Sequence, residues 1–347
     1  MNATRRLYSM TLPLVVGIAA CTADSSTAPD ASPDADPAAK KAPVSTPTPA
    51  PSTDVPSLLP GTMLWVNPSS HAQQTADAWR ISRPDDAAQM DKIAAQPMAK
   101  WFGNWNADIR ADVDAAVTTM TSGGAMPVLV AYNIPQRDCG GLSGNNSTTA
   151  DAYRSWIAAF ANGIGARRAT VIVEPDALAG MDCLSSTDQQ MRVDLLSYAV
   201  RTLRAQGSVA VYLDAGNPKW HSATTMATRL TNAGVALAQG FALNVSNFFT
   251  TSDNVSYGQQ IAGLTGGKHF IIDTSRNGLG PTADNQWCNP DGRAIGDRPT
   301  TSTGVASVDA FLWVKTPGES DGACNGAPAA GSWMPEYALG LAQRASY

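Results

Sequence analysis

The chain lacks basic runs and long apolar runs, and each absence argues against a class of partner. Lysine and arginine number 24 against 29 aspartates and glutamates, which gives a formal net charge of -5. Because nucleic acids are polyanions, an acidic chain without a basic run argues against nucleic-acid binding. Beyond the first twenty residues, no apolar run is long enough to predict a transmembrane helix. We therefore expect no nucleic-acid partner and no membrane-spanning segment.

Signatures of metal and dinucleotide sites are also scarce. The three histidines, His71, His221 and His269, lie far apart in the sequence, and no CxxC pair occurs. These spacings argue against a zinc site, so we expect no metal. The glycines within residues 163–165 follow a predicted helix and not a strand, which gives little support to a dinucleotide-binding fold.

The first twenty residues resemble an export signal. A basic start at Arg5 and Arg6 precedes an apolar run that is too short to span a bilayer as a permanent helix. Residues 18–21, Ile-Ala-Ala-Cys, are similar to the lipobox of bacterial lipoproteins. We predict a signal peptide over residues 1–20 and an acylated Cys21, with plain secretion as the alternative. The protein is thus expected to be exported, as a secreted protein or a cell-surface lipoprotein that meets the membrane through its N-terminal lipid anchor.

Composition divides the rest of the chain into a linker and one large domain. Residues 21–58 are rich in alanine, proline, serine, threonine and aspartate, and they have little to bury. We predict a disordered linker there. Residues 59–347 form one block whose length suits a single α/β barrel better than two small domains. We expect this domain to be a monomer.

Four cysteines remain once Cys21 is assigned to the signal. Cys139, Cys183, Cys288 and Cys324 form an even set in a domain that we expect to be exported, which favours two disulfide bonds. Four cysteines allow three pairings. We favour Cys139 with Cys183 and Cys288 with Cys324, because this pairing closes two local loops.

Eight apolar runs predict β-strands that are buried on both faces, since their apolar residues are continuous and do not alternate. These runs lie at residues 63–67, 100–105, 127–132, 171–173, 209–214, 241–247, 269–273 and 310–315. Amphipathic helices are predicted over residues 150–164 and 188–205. Strands that alternate with helices indicate a parallel sheet. We predict an α/β fold, a (β/α) barrel, with an open doubly wound sheet as the alternative.

Polar side chains follow most of the predicted strands. They are Asn67, Asn104, Asp138, Glu174, Asp176, Asp214, Asn244, Asn247, Asp273, Lys315, Glu319 and Asp321. The carboxyl ends of parallel barrel strands meet at one rim, which is where ligands bind. A single aspartate after a strand is commonly a helix N-cap, but so many acids and amides exceed what capping needs. Together with nearby tryptophans they predict a carbohydrate-binding cleft.

The run at residues 171–173 leads straight into Glu174, Pro175 and Asp176. Pro175 fixes its own φ and restricts Glu174, so the two acids should leave the strand in set directions. Residues 132–140 (Tyr-Asn-Ile-Pro-Gln-Arg-Asp-Cys-Gly) and 171–178 (Val-Ile-Val-Glu-Pro-Asp-Ala-Leu) resemble the two signatures of glycoside hydrolase family 6, the inverting cellulases. The likeness extends over nearly all of residues 60–347. Its shorter motifs lie at residues 214–216, 244–248, 273–278, 287–290 and 315–322.

This resemblance implies a distorted α/β barrel with about seven parallel strands, one fewer than the eight counted above, and an active site at the C-terminal rim. It implies a β-1,4-glucan as the substrate, either a polysaccharide or an oligosaccharide. It also implies locally paired cysteines and no metal or organic cofactor.

The resemblance assigns catalytic roles to three aspartates and one tyrosine. Asp176 resembles the general acid that protonates the leaving oxygen, and its pKa must be raised by burial or by a nearby carboxylate. Asp138 resembles the aspartate that assists Asp176 and the attacking water. Asp321 resembles the candidate general base, and Tyr132 the tyrosine that crowds the reacting sugar. Glu174 is expected to be structural.

The predicted substrate-binding residues come from the same positions. Lys315 and Glu319 match residues that bond sugar hydroxyls. Tryptophans at three positions match aromatic platforms, with a core position as the alternative for each. The complete predicted set is Trp101, Ser143, Asp214, Trp220, Asn247, Trp287, Lys315 and Glu319.

Short segments around the last two cysteines leave little chain for loops that would roof the cleft. We therefore predict an open-cleft endo-β-1,4-glucanase. The alternatives are an exo-acting cellobiohydrolase of the same family and a catalytically silent glucan-binding barrel. The presence of Asp138, Asp176 and Asp321 argues against the silent barrel, since a pure binding protein has little reason to keep an acid apparatus.

Overall fold

The computed structural model describes residues 58–144 and 148–347 and is built on seven short strands. The predicted signal peptide, the acylated Cys21 and nearly all of the predicted linker lie outside the described residues. Those assignments therefore stay predictions.

Helices separate most of the strands along the chain. The strands are β1 (Lys100–Gly103), β2 (Val128–Tyr132), β3 (Ala169–Val173), β4 (Val209–Asp214), β5 (Gly240–Leu243), β6 (His269–Asp273) and β7 (Val308–Leu312). The α-helices are α1 (His71–Trp79), α2 (Pro84–Ala94), α3 (Ile109–Ser122), α4 (Ala150–Ile164), α5 (Ser186–Arg204), α6 (Ala223–Asn232), α7 (Thr251–Leu264) and α8 (Pro335–Gln343). Short 3-10 helices lie at Arg137–Gly140, Ala179–Cys183 and Val235–Leu237.

All neighbouring strands pair in parallel, and their order in the sheet runs from β1 to β7 without a reversal. A doubly wound sheet reverses its strand order at one point, so that alternative is wrong. Among the described residues, the two ends of the sheet meet at a single parallel bridge between Met98, which precedes β1, and Trp313, which follows β7. Beside it, Trp101 Nε1 donates to the Val314 carbonyl oxygen at 2.8 Å. The predicted α/β fold, a distorted barrel with seven parallel strands, is confirmed.

The prediction of eight strands is wrong by one. Residues 63–67 do not form a strand: Leu64 makes a single bridge to Met126. The neighbouring Met63 and Val66 side chains are exposed, so this run lacks the second covered face that a central strand requires. Pro68 then removes a backbone donor directly after it.

Side chains of the strands point alternately into two hydrophobic layers. On β3, Val171 and Val173 pack in the outer layer with the helices, whereas Ile172 packs in the interior of the barrel. Tyr212 on β4 and Ile271 on β6 fill the same interior. Because both faces of the sheet are covered, its strands are apolar at most positions, and Thr170 and Asp309 are buried polar exceptions.

The two predicted helices begin where a side chain caps them. The first prediction matches α4, whose first turn is capped by Thr149 through a bond from the Ala152 N–H. The second begins at Ser186, two residues earlier than predicted, because Ser185 accepts a bond from the Asp188 N–H. In the part of the chain that is described, the helices are too short or too polar for a membrane crossing.

Asp273, the last residue of β6, ties the rim of the barrel together. Its buried carboxylate accepts four backbone N–H groups. Oδ1 accepts from Ser275 at 3.0 Å and from Val314 at 3.2 Å, and Oδ2 accepts from Ser246 and Lys315, both at 3.0 Å. These donors belong to the segments that follow β5, β6 and β7, so one side chain fixes three segments of the rim.

We expect Asp273→Ala to lower the free energy of unfolding by roughly 3–5 kcal/mol, because it leaves several buried donors without an acceptor. Equilibrium unfolding in urea measures the loss. Asp291 is exposed, so Asp291→Ala serves as the control and should stay within about 0.5 kcal/mol of the wild type. A similarly small effect at Asp273 would contradict the role given to its carboxylate.

Candidate active site

A cavity of about 1510 Å³ lies at the carboxyl ends of the strands. Its wall contains every predicted catalytic and substrate-binding residue except Asp214. These residues are Trp101, Tyr132, Asp138, Ser143, Asp176, Trp220, Asn247, Trp287, Lys315, Glu319 and Asp321. The cavity exceeds the roughly 300–1,000 Å³ of most small-molecule pockets, so it suits an extended ligand. Among the described residues, no group of three histidine, cysteine, aspartate or glutamate side chains is placed to hold a metal ion.

A sharp turn after β3 brings Asp176 to the cavity wall. Glu174 and Asp176 have φ angles of 50° and 69°, in the left-handed region that residues other than glycine rarely adopt. The restriction by Pro175 predicts extended backbone at Glu174, so sequence reasoning missed this turn. The Asp176 N–H donates to Asp214 Oδ1 at 2.9 Å, which holds the turn in place.

Glu174 is fully buried and does not line the cavity. Its carboxylate accepts from the Asn133 N–H at 2.9 and 3.0 Å and from the Ile134 N–H at 3.0 Å. Burial raises the pKa of Glu174 to about 7, although these N–H donors act in the opposite direction. Its carboxylate thus joins the end of β3 to the segment after β2, which supports a structural role.

Asp176 lies close to three other carboxyl groups. Burial raises the pKa of Asp176 well above its usual range, and the charges of Asp214, Asp138 and Asp321 raise it further. A desolvated carboxyl among like charges keeps its proton at pH values where an exposed aspartate has lost it. Asp176 therefore has the environment of a proton donor.

Asp214, predicted to bind substrate, lies behind Asp176 and not on the cavity wall. The residue is 1% exposed, because it is the last residue of β4 and its side chain stays below the rim. Its Oδ1 accepts the N–H groups of Asp176 at 2.9 Å and Gly216 at 3.0 Å. Its Oδ2 is buried without a hydrogen-bond partner among the described residues. Burial raises the pKa of Asp214 to about 7.

Asp138, Ser143 and Tyr132 form a chain of hydrogen bonds on the wall. Asp138 Oδ2 accepts from the Ser143 N–H at 2.9 Å and from the Ser143 hydroxyl at 3.0 Å. The Ser143 Oγ also lies 2.8 Å from the Tyr132 hydroxyl. Because Ser143 gives its single hydroxyl proton to Asp138, Tyr132 is the donor in that second bond. Burial raises the pKa of Tyr132 above its usual value, so the donor keeps its proton.

Arg137 fixes the loop that carries Asp138. Its guanidinium is buried and donates through Nε to the Ser143 carbonyl oxygen at 2.8 Å and through Nη1 to the Tyr132 carbonyl oxygen. The same group stands over the Tyr132 ring, 4.2 Å from the centroid. Both ends of the loop are therefore hydrogen-bonded to the planar guanidinium of Arg137.

The predicted disulfide pairing is confirmed. Cys139 is bonded to Cys183, and Cys288 is bonded to Cys324. The first bond joins the loop after β2 to the segment after β3. The second joins the segment before β7 to the segment after it. Each bond thus anchors a loop that carries a predicted catalytic aspartate.

Asp321 is held by two cations and a backbone N–H. Oδ2 accepts from Arg276 Nη1 at 2.8 Å and from the Asn289 N–H at 3.0 Å, and Oδ1 lies 3.5 Å from Lys315 Nζ. Burial alone would raise the pKa of Asp321, but the charges of Arg276 and Lys315 lower it below its usual value. Asp321 is therefore ionised under conditions where Asp176 is protonated.

Lys315 and Glu319 lie in the same segment as Asp321. Lys315 Nζ donates to the Ser320 carbonyl oxygen at 3.0 Å. Burial lowers the pKa of Lys315 and raises that of Glu319. Both side chains line the cavity, so a hydroxyl-rich ligand there would meet a cationic and an acidic partner.

Indole rings form the apolar parts of the wall. Trp220 is 40% exposed and Trp287 is 50% exposed, so neither is a core residue. Trp101 is more covered and meets the Tyr132 ring edge-on, with 5.2 Å between ring centroids. Sequence reasoning gave no role to Trp65 and Trp105, although both line the cavity. Each lies within two residues of an asparagine, Asn67 or Asn104, near the end of a predicted strand, which was the available signal.

Three polar residues that organise the site were also missed: Arg137, Arg276 and Asn289. Arg276 is completely buried, pairs with Asp321 and stands 4.3 Å from the centroid of the Phe248 ring. A buried guanidinium needs acceptors for its N–H groups, but the sequence does not say that Asp321 folds next to Arg276 and supplies one. All three lie inside the short motifs at residues 132–140, 273–278 and 287–290, and membership of those motifs was the signal that could have found them.

Comparison with known proteins identifies the family. The model of the glycosyl hydrolases family 6 matches residues 59–345, nearly the whole of the domain described above. The chain therefore belongs to family 6 of the glycosyl hydrolases, in agreement with its seven-stranded barrel and its carboxylate-lined cleft.

Individual relatives carry more specific names. Endoglucanase A of Cellulomonas fimi is 45% identical over 291 residues, which are 83% of this chain and 62% of that protein. A solved structure shows the endoglucanase Cel6 of Mycobacterium tuberculosis in complex with methyl-cellobiosyl-4-deoxy-4-thio-β-D-cellobioside. That protein is 47% identical to this chain. The superposition covers 82% of this chain and 98% of that chain, with a TM-score of 0.79. A probable 1,4-β-D-glucan cellobiohydrolase C of Aspergillus fumigatus is 31% identical over 68% of this chain and 64% of that protein. The match to the Cellulomonas and Aspergillus proteins thus spans less than two thirds of their length.

We expect Asp214 to make the protein less stable as the pH rises from about 4 to about 7. Its pKa is about 7 in the folded protein and about 3.9 in an unfolded chain. Its stabilising contribution is therefore complete below the unfolded value and lost as the pH rises through the folded value. Asp214→Asn should remove this part of the pH dependence, as measured by denaturant unfolding at a series of pH values. Asp291→Asn, at an exposed site, should keep the wild-type slope, and an equally steep slope in Asp214→Asn would contradict the argument.

Proposed function

We propose that this chain hydrolyses β-1,4-glucosidic bonds in cellulose or a related β-glucan, with internal cleavage and inversion at the anomeric carbon. The observation that carries the proposal is a pair of carboxyls with opposite protonation in one cleft. The pKa of Asp176 is raised and the pKa of Asp321 is lowered. Environments that separate the pKa values of two acids are typical of acid–base catalysis on glycosides. The names of the endoglucanase relatives support the substrate.

Asp176 is proposed as the general acid. Its carboxyl lines the cleft and keeps its proton because of burial and three neighbouring carboxylates. As the bond between the anomeric carbon and the glycosidic oxygen breaks, this proton moves to the leaving oxygen. Positioned proton donors of this kind contribute about 10²–10⁴-fold to a rate.

The attacking water is proposed to bind beside Ser143. As the water oxygen bonds to the anomeric carbon, Ser143 takes a water proton and passes its own proton to Asp138 Oδ2, to which it is already hydrogen-bonded. The Tyr132 hydroxyl, which donates to Ser143, keeps the serine oriented. Asp138 thus ends the step protonated and Asp176 ends it ionised, and exchange with solvent restores both.

Asp321 is proposed to act by its charge and not as the direct base, which was the role first predicted for it. Its Oδ2 already accepts from Arg276 and Asn289, and Oδ1 faces Lys315. A carboxylate whose pKa is lowered by two neighbouring cations, and whose Oδ2 already accepts two donors, accepts a further proton poorly. A fixed negative charge does favour the positive charge that develops on the sugar ring in the transition state.

Several lines support internal cleavage over action at chain ends. Trp220 and Trp287 stand half exposed in the cleft, where a roofed tunnel would cover them. The Cys288–Cys324 bond spans 36 residues that include all of β7, which leaves little chain for a long covering loop. Of the three relatives described above, the two named endoglucanase are 45% and 47% identical to this chain, and the one named cellobiohydrolase is 31% identical.

The disulfides also support export. Such bonds persist in oxidising compartments outside the cytosol, and both of them anchor loops of the proposed active site. We propose that the protein acts outside the cytoplasm, where polymeric glucan is found. Its recovery in a purely cytosolic fraction of its own cells would contradict this.

We expect Asp176→Asn to lower the turnover of soluble carboxymethyl cellulose by about 10³-fold or more, since asparagine cannot supply the proton. Binding of a cello-oligosaccharide, measured by calorimetry, should stay close to that of the wild type. Asp151→Asn is the control, because Asp151 is exposed at the start of α4. Near-wild-type turnover in Asp176→Asn would exclude Asp176 as the acid. A wild-type product of retained anomeric configuration, observed by NMR, would exclude the inverting mechanism.

We expect the wild-type protein to reduce the viscosity of carboxymethyl cellulose steeply while it releases few reducing ends, because each internal cut halves a long chain. Viscosity and reducing ends are measured in the same reaction. Many reducing ends with little loss of viscosity would favour the cellobiohydrolase alternative. Binding without release of reducing ends would favour the silent glucan-binding barrel.

A further inference from the structure

Leu142, in the loop after β2, packs against Gly322, in the segment after β7. A Cβ atom on Gly322 would lie 2.6 Å from Leu142 Cδ1 and 2.8 Å from Leu142 Cβ, closer than non-bonded carbons approach. The contact therefore requires glycine at position 322. Leu142 is 45% exposed and lines the cavity, so burial in a core does not account for its place.

The leucine side of this contact carries the proposed water-binding group. Ser143 directly follows Leu142 and gives both its N–H and its hydroxyl to Asp138. Gly141 precedes Leu142, and a Cβ atom there would lie 2.6 Å from Asp138 Oδ2. The loop thus folds tightly around the Asp138 carboxylate, and any shift of Leu142 moves Ser143 with it.

The glycine side of the contact is held by the partners of Asp321. The carbonyl oxygen of Gly322 accepts from Asn289 Nδ2 at 3.0 Å, and its N–H donates to Ser320 Oγ at 3.1 Å. The Asn289 N–H in turn donates to Asp321 Oδ2 at 3.0 Å. The same hydrogen-bond network, centred on Asn289, therefore holds both Asp321 and Gly322, against which Leu142 packs.

We propose that Leu142 is a positioning residue. By packing against Gly322, it fixes the position of Ser143 relative to Asp321. Without the contact, the loop that carries Ser143 keeps its hydrogen bonds to Asp138 but no longer has a fixed position relative to the segment after β7. A misplacement of about 1 Å at a reacting group lowers a rate by about 10²-fold. This inference rests on the proposed function, because it gives Ser143 and Asp321 their roles in hydrolysis.

A double-mutant cycle on kcat tests the contact. Leu142→Ala removes the side chain, and Gly322→Ala adds a methyl group where the leucine lies. Each change alone should lower kcat on cellohexaose by roughly 10–100-fold, and KM should stay within about two-fold of the wild type because ground-state binding is kept. The double variant should be less impaired than the product of the two losses, because the added methyl group then enters space that Leu142 has left.

Two further variants separate positioning from general damage. Leu142→Met keeps a similar volume and should retain most of the activity. Leu279→Ala removes a leucine of similar exposure, 54% against 45%, that does not line the cavity, and it should leave kcat unchanged. Melting temperatures of all variants report on folding. If Gly322→Ala does not fold, the comparison of Leu142→Ala with Leu142→Met decides the matter.

The inference would be overturned if the loss of kcat in the double variant equalled the product of the two single losses. It would also be overturned if Leu142→Ala kept the wild-type kcat. A wild-type protein that does not hydrolyse cellohexaose would instead refute the proposed function. The two failures are therefore distinct, since the first requires an active wild-type enzyme.

Discussion

Repulsion among carboxyl groups that share one poorly hydrated rim is the constraint on which the site depends. Burial disfavours every charged carboxylate, and proximity disfavours several at once. Each acid meets this constraint in its own way: Asp176 keeps its proton, Asp321 is neutralised by Arg276, and Glu174 is bonded to backbone N–H groups. Asp214 is pressed against the turn of Asp176 and accepts its N–H. The differences in protonation that the proposed chemistry needs follow from where the backbone places donors and cations.

The backbone at the rim is correspondingly unusual. Left-handed φ angles occur at the carboxyl ends of β2, β3 and β5, on residues such as Asp138, Glu174 and Asn244 that carry side chains. Such conformations persist where the surroundings over-determine them, and they cluster at functional sites. Here the surroundings are two disulfide bonds, the guanidinium of Arg137 and the carboxylate of Asp273, all of which bind rim segments to one another. The rim loops have defined positions because covalent and hydrogen bonds join them to the barrel and to each other.

Much of this structure could be predicted from the sequence, and the exceptions have physical reasons. Continuous apolar runs located all seven strands, helical periodicity located α4 and α5, and cysteine spacing gave the disulfide pairing, because each of these features is local along the chain. Residues 63–67 looked like a strand because the sequence does not show whether a neighbour covers the second face. Asp214 was placed on the cavity wall because its depth depends on where β4 ends. The pairing of Arg276 with Asp321 joins positions 45 residues apart, and local sequence reasoning has no access to such a contact.

Among the described residues, only a few hydrogen bonds close the barrel between the chain segments at β1 and β7. Parallel pairing joins β1 through β7 around the ring, with a register shift between Phe270 and Ile271 on β6, whereas the two ends of the ring meet at the Met98–Trp313 bridge. Asp138 follows β2 on one side of this junction, and Asp321 follows β7 on the other. The path around the sheet from β2 to β7 crosses five strand pairs, so the separation of Asp138 and Asp321 depends on the curvature of almost the whole barrel. Asp138 and Asp176 instead follow the adjacent strands β2 and β3, so their separation is a local property of the sheet.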